Sequence, residues 1–178
     1  TEVTLEGRAA RDATPASGES YPLVVISHGY PGNRFLMSHL GENLATKGYV
    51  TVSIDHRDST YDDLKTFTST LYNRPLDQRF VIDAMANLGT DPDSFLHDLV
   101  DADRTGVVGY SMGGYGLVNN LGGGYSDRVA AAPTVSPNGL VSAHANGNAS
   151  YREGLDSRIK AGFAIAPWGM TMNFWGDK

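Results

Sequence analysis

The sequence of 178 residues predicts an α/β protein in which a mostly parallel sheet carries helices on both faces. Two observations lead to this prediction. Short apolar runs rich in Val and Ile alternate along the chain with longer segments of helical periodicity, the pattern of a parallel sheet with crossover helices. One apolar run also turns directly into a glycine-rich segment, GYSMGGYG at residues 109–116, as a strand does when it leads into a helix. A chain of this length is expected to form one domain with its own hydrophobic core.

Four apolar runs are expected to form the strands: residues 22–27 (PLVVIS), 49–55 (YVTVSID), 105–111 (TGVVGYS) and 160–166 (KAGFAIA). Strands of a parallel sheet are buried on both faces, so they are continuous apolar runs without strict alternation. Residues 122–150, between the last two strands, are rich in Gly, Asn and Ser. They predict a loop, of which residues 136–150 form the most mobile part.

Two longer segments have the periodicity of amphipathic helices. Residues 35–47 carry a leucine at every fourth position, and Gly48 is expected to end this helix. A second helix is expected to begin at Asn73 and Pro75, residues that favour a helix N-terminus, and to run to about Gly89. Its predicted apolar face comprises Leu76, Phe80, Ala84 and Leu88.

Composition argues against several classes of function. The chain has 14 basic and 20 acidic residues and no basic run, which argues against a nucleic-acid partner or an anionic membrane surface. The absence of cysteine excludes a disulfide framework, thiolate metal sites and a cysteine nucleophile. No run approaches the roughly 20 apolar residues that span a bilayer. The start at Thr1 suggests a processed N-terminus and slightly favours a secreted or periplasmic protein over a cytoplasmic one.

Ser111 is the candidate nucleophile, because it lies in a G-x-S-x-G pattern with Gly109 and Gly113. A nucleophile elbow requires a strand, a sharp turn that strains the serine backbone, and a helix whose N-terminus lies under the developing negative charge. Flanking glycines allow the neighbouring backbone to approach closely. The alternative is an ordinary turn with an inert hydroxyl, which the strand before and the helix after Ser111 disfavour.

A second turn, SHGYPG at residues 27–32, ends the first strand and is typical of a loop that presents backbone N–H groups. Acyl transfer needs two donors for the oxyanion, and the backbone N–H groups of Tyr30 and Met112 are the candidates. The Tyr30 phenol is also a candidate for the substrate pocket. So is Trp168, because it follows the carboxyl end of a strand, where open α/β sheets bind ligands; core packing is the alternative for both. His28, beside this turn, is expected to tie loops together.

Four segments together resemble the α/β-hydrolases: YPLVVISHGYPGNR, GYVTVSIDHRDS, RPLDQRFVIDAM and GYSMGG, in this order within residues 21–118. Within that superfamily the chain is similar to dienelactone-hydrolase-like esterases and platelet-activating-factor acetylhydrolases. The resemblance implies the α/β-hydrolase fold and a serine-dependent carboxylic ester hydrolase that forms an acyl-enzyme at Ser111, without a metal or an organic cofactor.

The histidines of the chain are less clear candidates. The segment IDHRDS permits an acid and base role for Asp55, His56 and Asp58, although anchoring of loops by charge-assisted hydrogen bonds is favoured. Solvated or packing roles are expected for the remaining histidines: His39, His97 and His144.

The triad acid and histidine are expected outside this chain. In α/β-hydrolases both follow the serine, first Asp or Glu and then His. Past Ser111 the only histidine is His144, and Ala166 stands where the acetylhydrolases carry their acid; Asp177 is disfavoured because it precedes the next expected strand. We therefore interpret residues 1–178 as a single incomplete domain, whose remaining strands lie beyond Lys178 or on a second chain, a C-terminal fragment of the same protein. The apolar residues after the fourth strand would otherwise be uncovered: Trp168, Met170, Met172, Phe174 and Trp175.

The predicted function is hydrolysis of small or polymeric carboxylic esters. Acyl transfer or perhydrolysis by the same serine differs only in the acceptor. A non-catalytic module that pairs with a C-terminal partner chain is the alternative from another class, because a shared fold does not establish activity.

Overall fold

The computed structural model describes residues 7–16, 18–65 and 67–176. Its strands are β1 (Tyr21–Ser27), β2 (Val50–Ser53), β3 (Val100–Tyr110) and β4 (Ile159–Ile165). Its α-helices are α1 (Ser38–Ala45), α2 (Phe67–Thr90), α3 (Met112–Asn120), α4 (Asp127–Ala130) and α5 (Ala149–Glu153), and a 3₁₀ segment spans Pro137–His144. None of the helices in the described ranges is long and apolar enough to cross a membrane.

The four strands form one sheet in the order β2-β1-β3-β4, and every pairing is parallel. In the centre of the sheet Val25 lies opposite Val52 on one side and Val107 on the other. All four expected strands are present, and β3 begins five residues earlier than the apolar run indicated, with a register shift at Thr105.

Helices lie on both faces of the sheet, which confirms the predicted fold class. On one face α2 and α3 pack against Leu23, Val25 and Val107 in the main apolar core. On the other face Gly41 of α1 lies against Ile26, whose side chain points away from that of Val25 because successive strand residues alternate.

The predicted apolar face of α2 is wrong. Phe80 is 70% exposed and Leu88 is 40% exposed, whereas the inward side carries polar as well as apolar residues. These inward residues are Thr70, Leu71, Arg74, Pro75, Gln78, Val81, Ile82, Met85 and Gly89. Arg74 and Gln78 donate to buried backbone carbonyl oxygens, so their polarity did not mark the solvent side.

Helix α2 also begins at Phe67 instead of Asn73, and Pro75 lies inside it. A proline within a helix has no N–H for the carbonyl four residues earlier, here that of Leu71. The hydroxyls of Tyr115 and Tyr125 donate to this carbonyl oxygen at 2.9 and 3.2 Å. The helix therefore passes through Pro75 without leaving a buried acceptor unpaired.

Residues 122–150, predicted to be loop, instead contain α4, the 3₁₀ segment and α5, which we call the cap. Part of the cap packs against α3. Val141 and His144, both within the part expected to be most mobile, are buried. A second apolar cluster contains Val129, Val141 and Phe174 together with Tyr115 of α3 and Tyr125. The apolar residues of this stretch are isolated among Gly and Asn and show no clear helical periodicity, so the sequence does not predict the cap.

The apolar run after β4 is covered only in part. Phe174 is buried, whereas Met170 and Met172 are 56% and 51% exposed. The candidate acid Asp177 lies outside the described residues.

Candidate active site

Ser111 occupies a sharp turn between the end of β3 and the start of α3. Its backbone has φ 51° and ψ −109°, a conformation that side-chain-bearing residues rarely adopt and that costs about 1–3 kcal/mol. Three backbone hydrogen bonds hold it: the Ser111 N–H donates to Ile165 at 2.9 Å, and its carbonyl oxygen accepts from Tyr115 and Trp168, each at 3.0 Å. Both sides of the turn are thus fixed by the end of β4 and by α3.

The glycines of the G-x-S-x-G pattern are required by close backbone contacts. A Cβ atom at Gly113 would lie 2.0 Å from the carbonyl oxygen of Ser27, and one at Gly109 would lie 2.3 Å from that of Gly113. These distances are far inside van der Waals contact. The pattern therefore records how tightly α3 packs against the ends of β1 and β3.

The loop after β1 lies against the nucleophile. A Cβ atom at Gly29 would approach the Cβ of Ser111 to 3.3 Å. The far end of the loop is held by the Gly32 N–H, which donates to Ser59 at 3.1 Å, and by the Tyr30 hydroxyl, which donates to Lys65 at 2.7 Å. The loop therefore has its backbone beside Ser111 and its far end held by hydrogen bonds.

Two backbone N–H groups beside Ser111 have no acceptor in the part of the chain that the structure describes. Met112 is the first residue of α3, where an N–H has no intrahelical partner. The N–H of Tyr30 likewise makes no hydrogen bond within the described ranges. Both are therefore free to donate to a bound group.

His28 and His56 form a buried network behind this loop. The His56 N–H donates to Nε2 of His28 at 3.0 Å, and Nδ1 of His28 lies 2.7 Å from the Gly29 carbonyl oxygen. His56 lies between Asp77 and Ser27, with Nδ1 2.8 Å from Asp77 Oδ2 and Nε2 2.8 Å from Ser27 Oγ. This sequence of groups resembles a catalytic triad, but Ser27 is fully buried and so cannot meet a substrate.

The network is neutral apart from the Asp77 carboxylate and the nearby Arg74. Burial, followed by the charge of Arg74, lowers the pKa of His28 to about 4, and burial, Arg74 and His28 hold the pKa of His56 well below its usual value. Burial raises the pKa of Asp77 to about 6, against the charge of Arg74, which lowers it. The lowered pKa of His56 and the raised pKa of Asp77 each oppose an ion pair between these two residues. At neutral pH their contact is therefore a hydrogen bond from a neutral imidazole.

The other candidate acids and bases serve elsewhere. Asp55 pairs with Arg34, and Asp58 lies 3.3 Å from the Lys65 ammonium group. His144 is buried and stacks on Tyr72 with ring centroids 5.7 Å apart. Within the described ranges, no histidine forms a hydrogen bond with the Ser111 hydroxyl, and no group of three His, Cys, Asp or Glu side chains could hold a metal ion.

Aromatic side chains pack around Trp168, the residue whose backbone is hydrogen-bonded to Ser111. The backbone N–H of Trp168 donates to the Ser111 carbonyl oxygen, and the ring of Trp168 meets Phe67 and Phe174 edge to face at centroid distances of 5.0 and 4.8 Å. Phe67 meets Tyr30 in the same manner at 5.0 Å. Tyr30, Phe67 and Trp168 are each half-buried, and we call these three residues the aromatic row. Sequence reasoning missed Phe67, which follows a polar loop and carries no motif.

Known proteins share this arrangement of segments. The family model described as PETase, PET hydrolase-like, matches residues 12–145. The chain is 31% identical over 120 residues to cutinase est1 of Thermobifida alba, a match that covers 67% of this chain and 36% of the cutinase. It is 26% identical over 154 residues to the platelet-activating factor acetylhydrolase of Bos taurus, covering 64% of this chain and 34% of the relative.

A ferulic acid esterase from Streptomyces cinnamoneus superposes with a TM-score of 0.49 and 35% identity, over 60% of this chain and 34% of that one. The chain thus spans about a third of the length of these relatives. The match to the acetylhydrolase confirms the resemblance drawn from the sequence motifs. Because the family model covers most of its length, the chain belongs to the PET hydrolase-like family, within the α/β-hydrolases.

Proposed function

We propose that this protein hydrolyses carboxylic esters with Ser111 as the nucleophile. The observation that carries the proposal is the positive φ of Ser111 at the junction of β3 and α3. A side chain held in such a conformation between a strand and a helix projects from the end of the sheet, where parallel sheets bind their ligands. Backbone strain that the surroundings maintain is typical of functional positions.

The backbone N–H groups of Tyr30 and Met112 are proposed to bind the oxyanion. Support comes from their position on either side of Ser111 and from the lack of an acceptor for either one among the described residues. Donors that are already oriented stabilise the developing charge without reorganisation during the reaction.

A histidine and an acid from polypeptide outside this chain are proposed to complete the site. The described histidines leave the Ser111 hydroxyl without a base, and serine activation requires one. The proposal is also supported by an uncovered part of the sheet at β4, where Phe163 is 64% exposed. These additional residues are either further along the same polypeptide or on a companion C-terminal fragment.

The chemical steps then follow the serine hydrolase scheme. Ser111 Oγ bonds to the ester carbonyl carbon while its proton passes to the histidine, and the carbonyl oxygen becomes the bound oxyanion. Collapse breaks the bond to the alcohol oxygen, which leaves with the proton from the histidine. Water, deprotonated by the same histidine, attacks the acyl-enzyme and releases the acid, which regenerates Ser111.

Esters with an aromatic acyl group are the proposed substrates, as small molecules or as parts of polymers. Edge-to-face contacts hold the aromatic row in place next to Ser111, and half-buried rings offer an apolar surface to a flat substrate. The family model that matches the chain is described as PET hydrolase-like, and PET is a polyester of an aromatic diacid, which agrees with this class. A secreted or periplasmic location stays a prediction.

The test uses the complete natural polypeptide and a fluorophosphonate probe, read by intact-mass spectrometry and by hydrolysis of p-nitrophenyl benzoate. We expect one adduct on Ser111 and measurable hydrolysis, both lost in Ser111→Ala. Ser53→Ala, on β2, is the matched control and should retain both. Labelling or hydrolysis that survives Ser111→Ala, or a wild-type protein that shows neither, would exclude Ser111 as the nucleophile.

A further inference from the structure

The arginine at position 74 points from α2 into the interior, directly behind the loop beside Ser111. It is 1% exposed. Nη1 of its guanidinium donates to the carbonyl oxygen of His28, and Nη2 donates to that of Gly29 at 3.4 Å and to the Ser59 hydroxyl. Arg74 therefore binds two successive peptide groups at one end of the loop and, through Ser59, the segment that holds its other end.

One of these peptide groups contains a proposed oxyanion donor. The carbonyl of Gly29 and the N–H of Tyr30 belong to the same planar peptide unit and point in opposite directions when it is trans. The Gly29 oxygen is held on its inner side by Arg74 and by Nδ1 of His28 at 2.7 Å. Holding the oxygen inward directs the Tyr30 N–H outward, on the side where none of the described residues accepts a hydrogen bond from it.

The same helix also holds the other half of the site. Gln78, one turn after Arg74 and fully buried, donates to the Gly113 carbonyl oxygen at 2.8 Å. Gly116 makes room for both side chains, since a Cβ there would lie 2.8 Å from Arg74 Cγ and 3.0 Å from Gln78 Nε2. Helix α2 thus contacts the loop that carries Tyr30 and the helix that begins with Met112.

The charge of Arg74 has no direct counter-ion among the described residues. In the described ranges no carboxylate forms an ion pair with its guanidinium. Burial lowers the pKa of Arg74 to about 9, with Asp77 acting in the opposite direction, so the group is protonated at neutral pH. A buried cation without a direct partner is costly, and it becomes favourable when a negative charge develops nearby.

We propose that Arg74 is a positioning residue for ester hydrolysis, which fixes the Gly29–Tyr30 peptide so that the Tyr30 N–H meets the oxyanion and whose positive charge polarises that peptide. The inference rests on the proposed function, because it assigns a role toward the oxyanion of that reaction. Hydrogen bonds in a chain polarise one another, so a guanidinium bound to the carbonyl oxygen strengthens the N–H of the same peptide as a donor. A merely structural arginine would stabilise the loop without this effect on the transition state.

The experiment compares an oxygen ester with its thionoester on the complete natural polypeptide. Sulfur is a weak hydrogen-bond acceptor, so the thionoester gains little from the oxyanion donors. The kcat/KM for the oxygen ester divided by that for the thionoester therefore measures how much the enzyme gains from those donors. It does not depend on the concentration of folded enzyme, so a variant that is partly unfolded leaves the ratio unchanged.

We expect Arg74→Met to lower this ratio by about tenfold or more, through kcat with KM nearly unchanged, since loss of one oxyanion donor costs about 10²–10³ in kcat. Arg74→Lys keeps a charge without the guanidinium geometry and should lower the ratio to a smaller extent. If Arg74→Met does not fold, the ratio of Arg74→Lys alone tests the role of Arg74.

Arg79→Met is the matched control. Arg79 lies on the same helix and donates to a backbone carbonyl at 3.0 Å, but that carbonyl belongs to Gly154, in the cap over α3. Its ratio should equal that of the wild type. If the wild type is active and Arg74→Lys has the same ratio as the wild type, the role of Arg74 is refuted but the proposed function is not. If the wild type hydrolyses neither ester, the proposed function and this inference are both refuted.

Discussion

At the scale of single residues, two buried histidines depend on being neutral. His28 accepts a hydrogen bond at Nε2 from the backbone of His56 and donates from Nδ1 to Gly29. His56 accepts at Nε2 from Ser27 and donates from Nδ1 to Asp77. A protonated ring cannot accept at Nε2, so protonation of either histidine breaks a hydrogen bond and places an additional positive charge near Arg74.

The contribution of His28 to the stability of the fold is therefore expected to fall as the pH is lowered from about 6.5 to about 4. The pKa of His28 is about 4 in the folded protein and 6.5 in an unfolded chain, so in this interval the unfolded state binds more protons. The stabilisation is complete above pH 6.5 and decreases as the pH falls toward 4; for His28 the loss is on the order of 3 kcal/mol. His56 acts in the same direction. Asp77, whose folded pKa is raised to about 6, opposes it, because its contribution is greatest below pH 3.8 and is lost as the pH rises to 6.

Urea unfolding at pH 4, 5, 6 and 7 measures this dependence, and His28→Gln is the informative variant. Glutamine does not titrate, so the loss of stability on acidification should be smaller than in the wild type. His39→Gln, which changes an exposed histidine of α1, should leave the pH dependence unaltered. An equal slope in wild type and His28→Gln would show that His28 titrates normally in the folded protein.

At the scale of elements, α2 connects the core to the site. Two parts of its inward side have different partners: Arg74 and Gln78 meet the backbone around Ser111, and Val81, Ile82 and Met85 pack into the main core. The outward side carries Phe80 and Leu88. Apolar periodicity alone predicts this exposed side as the buried one, because Arg and Gln are usually surface residues, whereas Arg74 and Gln78 are buried here.

Substitutions on the two sides of α2 should separate them clearly. Ile82 is fully buried, and Ile82→Ala is expected to lower the free energy of unfolding by about 2–5 kcal/mol. Phe80→Ala removes a larger side chain from an exposed position and should change it by about 0.5 kcal/mol or less. Urea unfolding followed by tryptophan fluorescence compares the two. A larger loss for Phe80→Ala than for Ile82→Ala would mean that α2 packs with its predicted apolar face inward.

The strands and the elbow were predictable because each has a strong local cause. Val and Ile runs mark the buried strands, and only a glycine fits at position 113 against the Ser27 carbonyl. The network behind the loop was not predictable, since His28, His56 and Arg74 come together from three separate segments, and His28 and Arg74 bond mainly to backbone groups. Backbone partners leave no trace in the spacing of side chains along a sequence.

At the scale of the whole molecule, the sheet is covered unevenly. Beyond α1, the face of β3 and β4 that α2 and α3 do not cover borders two apolar hollows of about 500 and 710 Å³, both lined by Leu44, Val108 and Phe163. Among the described residues, strand β4 pairs only with β3, so its other edge has no partner strand there. Exposed apolar surface beside an unpaired strand edge is a site of association between chains.

The 178-residue chain is accordingly expected to self-associate through this face. Phe163 is 64% exposed and lies on β4, so Phe163→Lys places a charge on the apolar face beside this edge of β4 and should shift the chain toward monomer. Phe95→Lys is the matched control, because Phe95 is 77% exposed but lies between α2 and β3, away from both hollows. Sedimentation velocity at several protein concentrations measures the effect. If both variants associate as the wild type does, the contact lies elsewhere; if only Phe163→Lys becomes monomeric, the chains associate through this face.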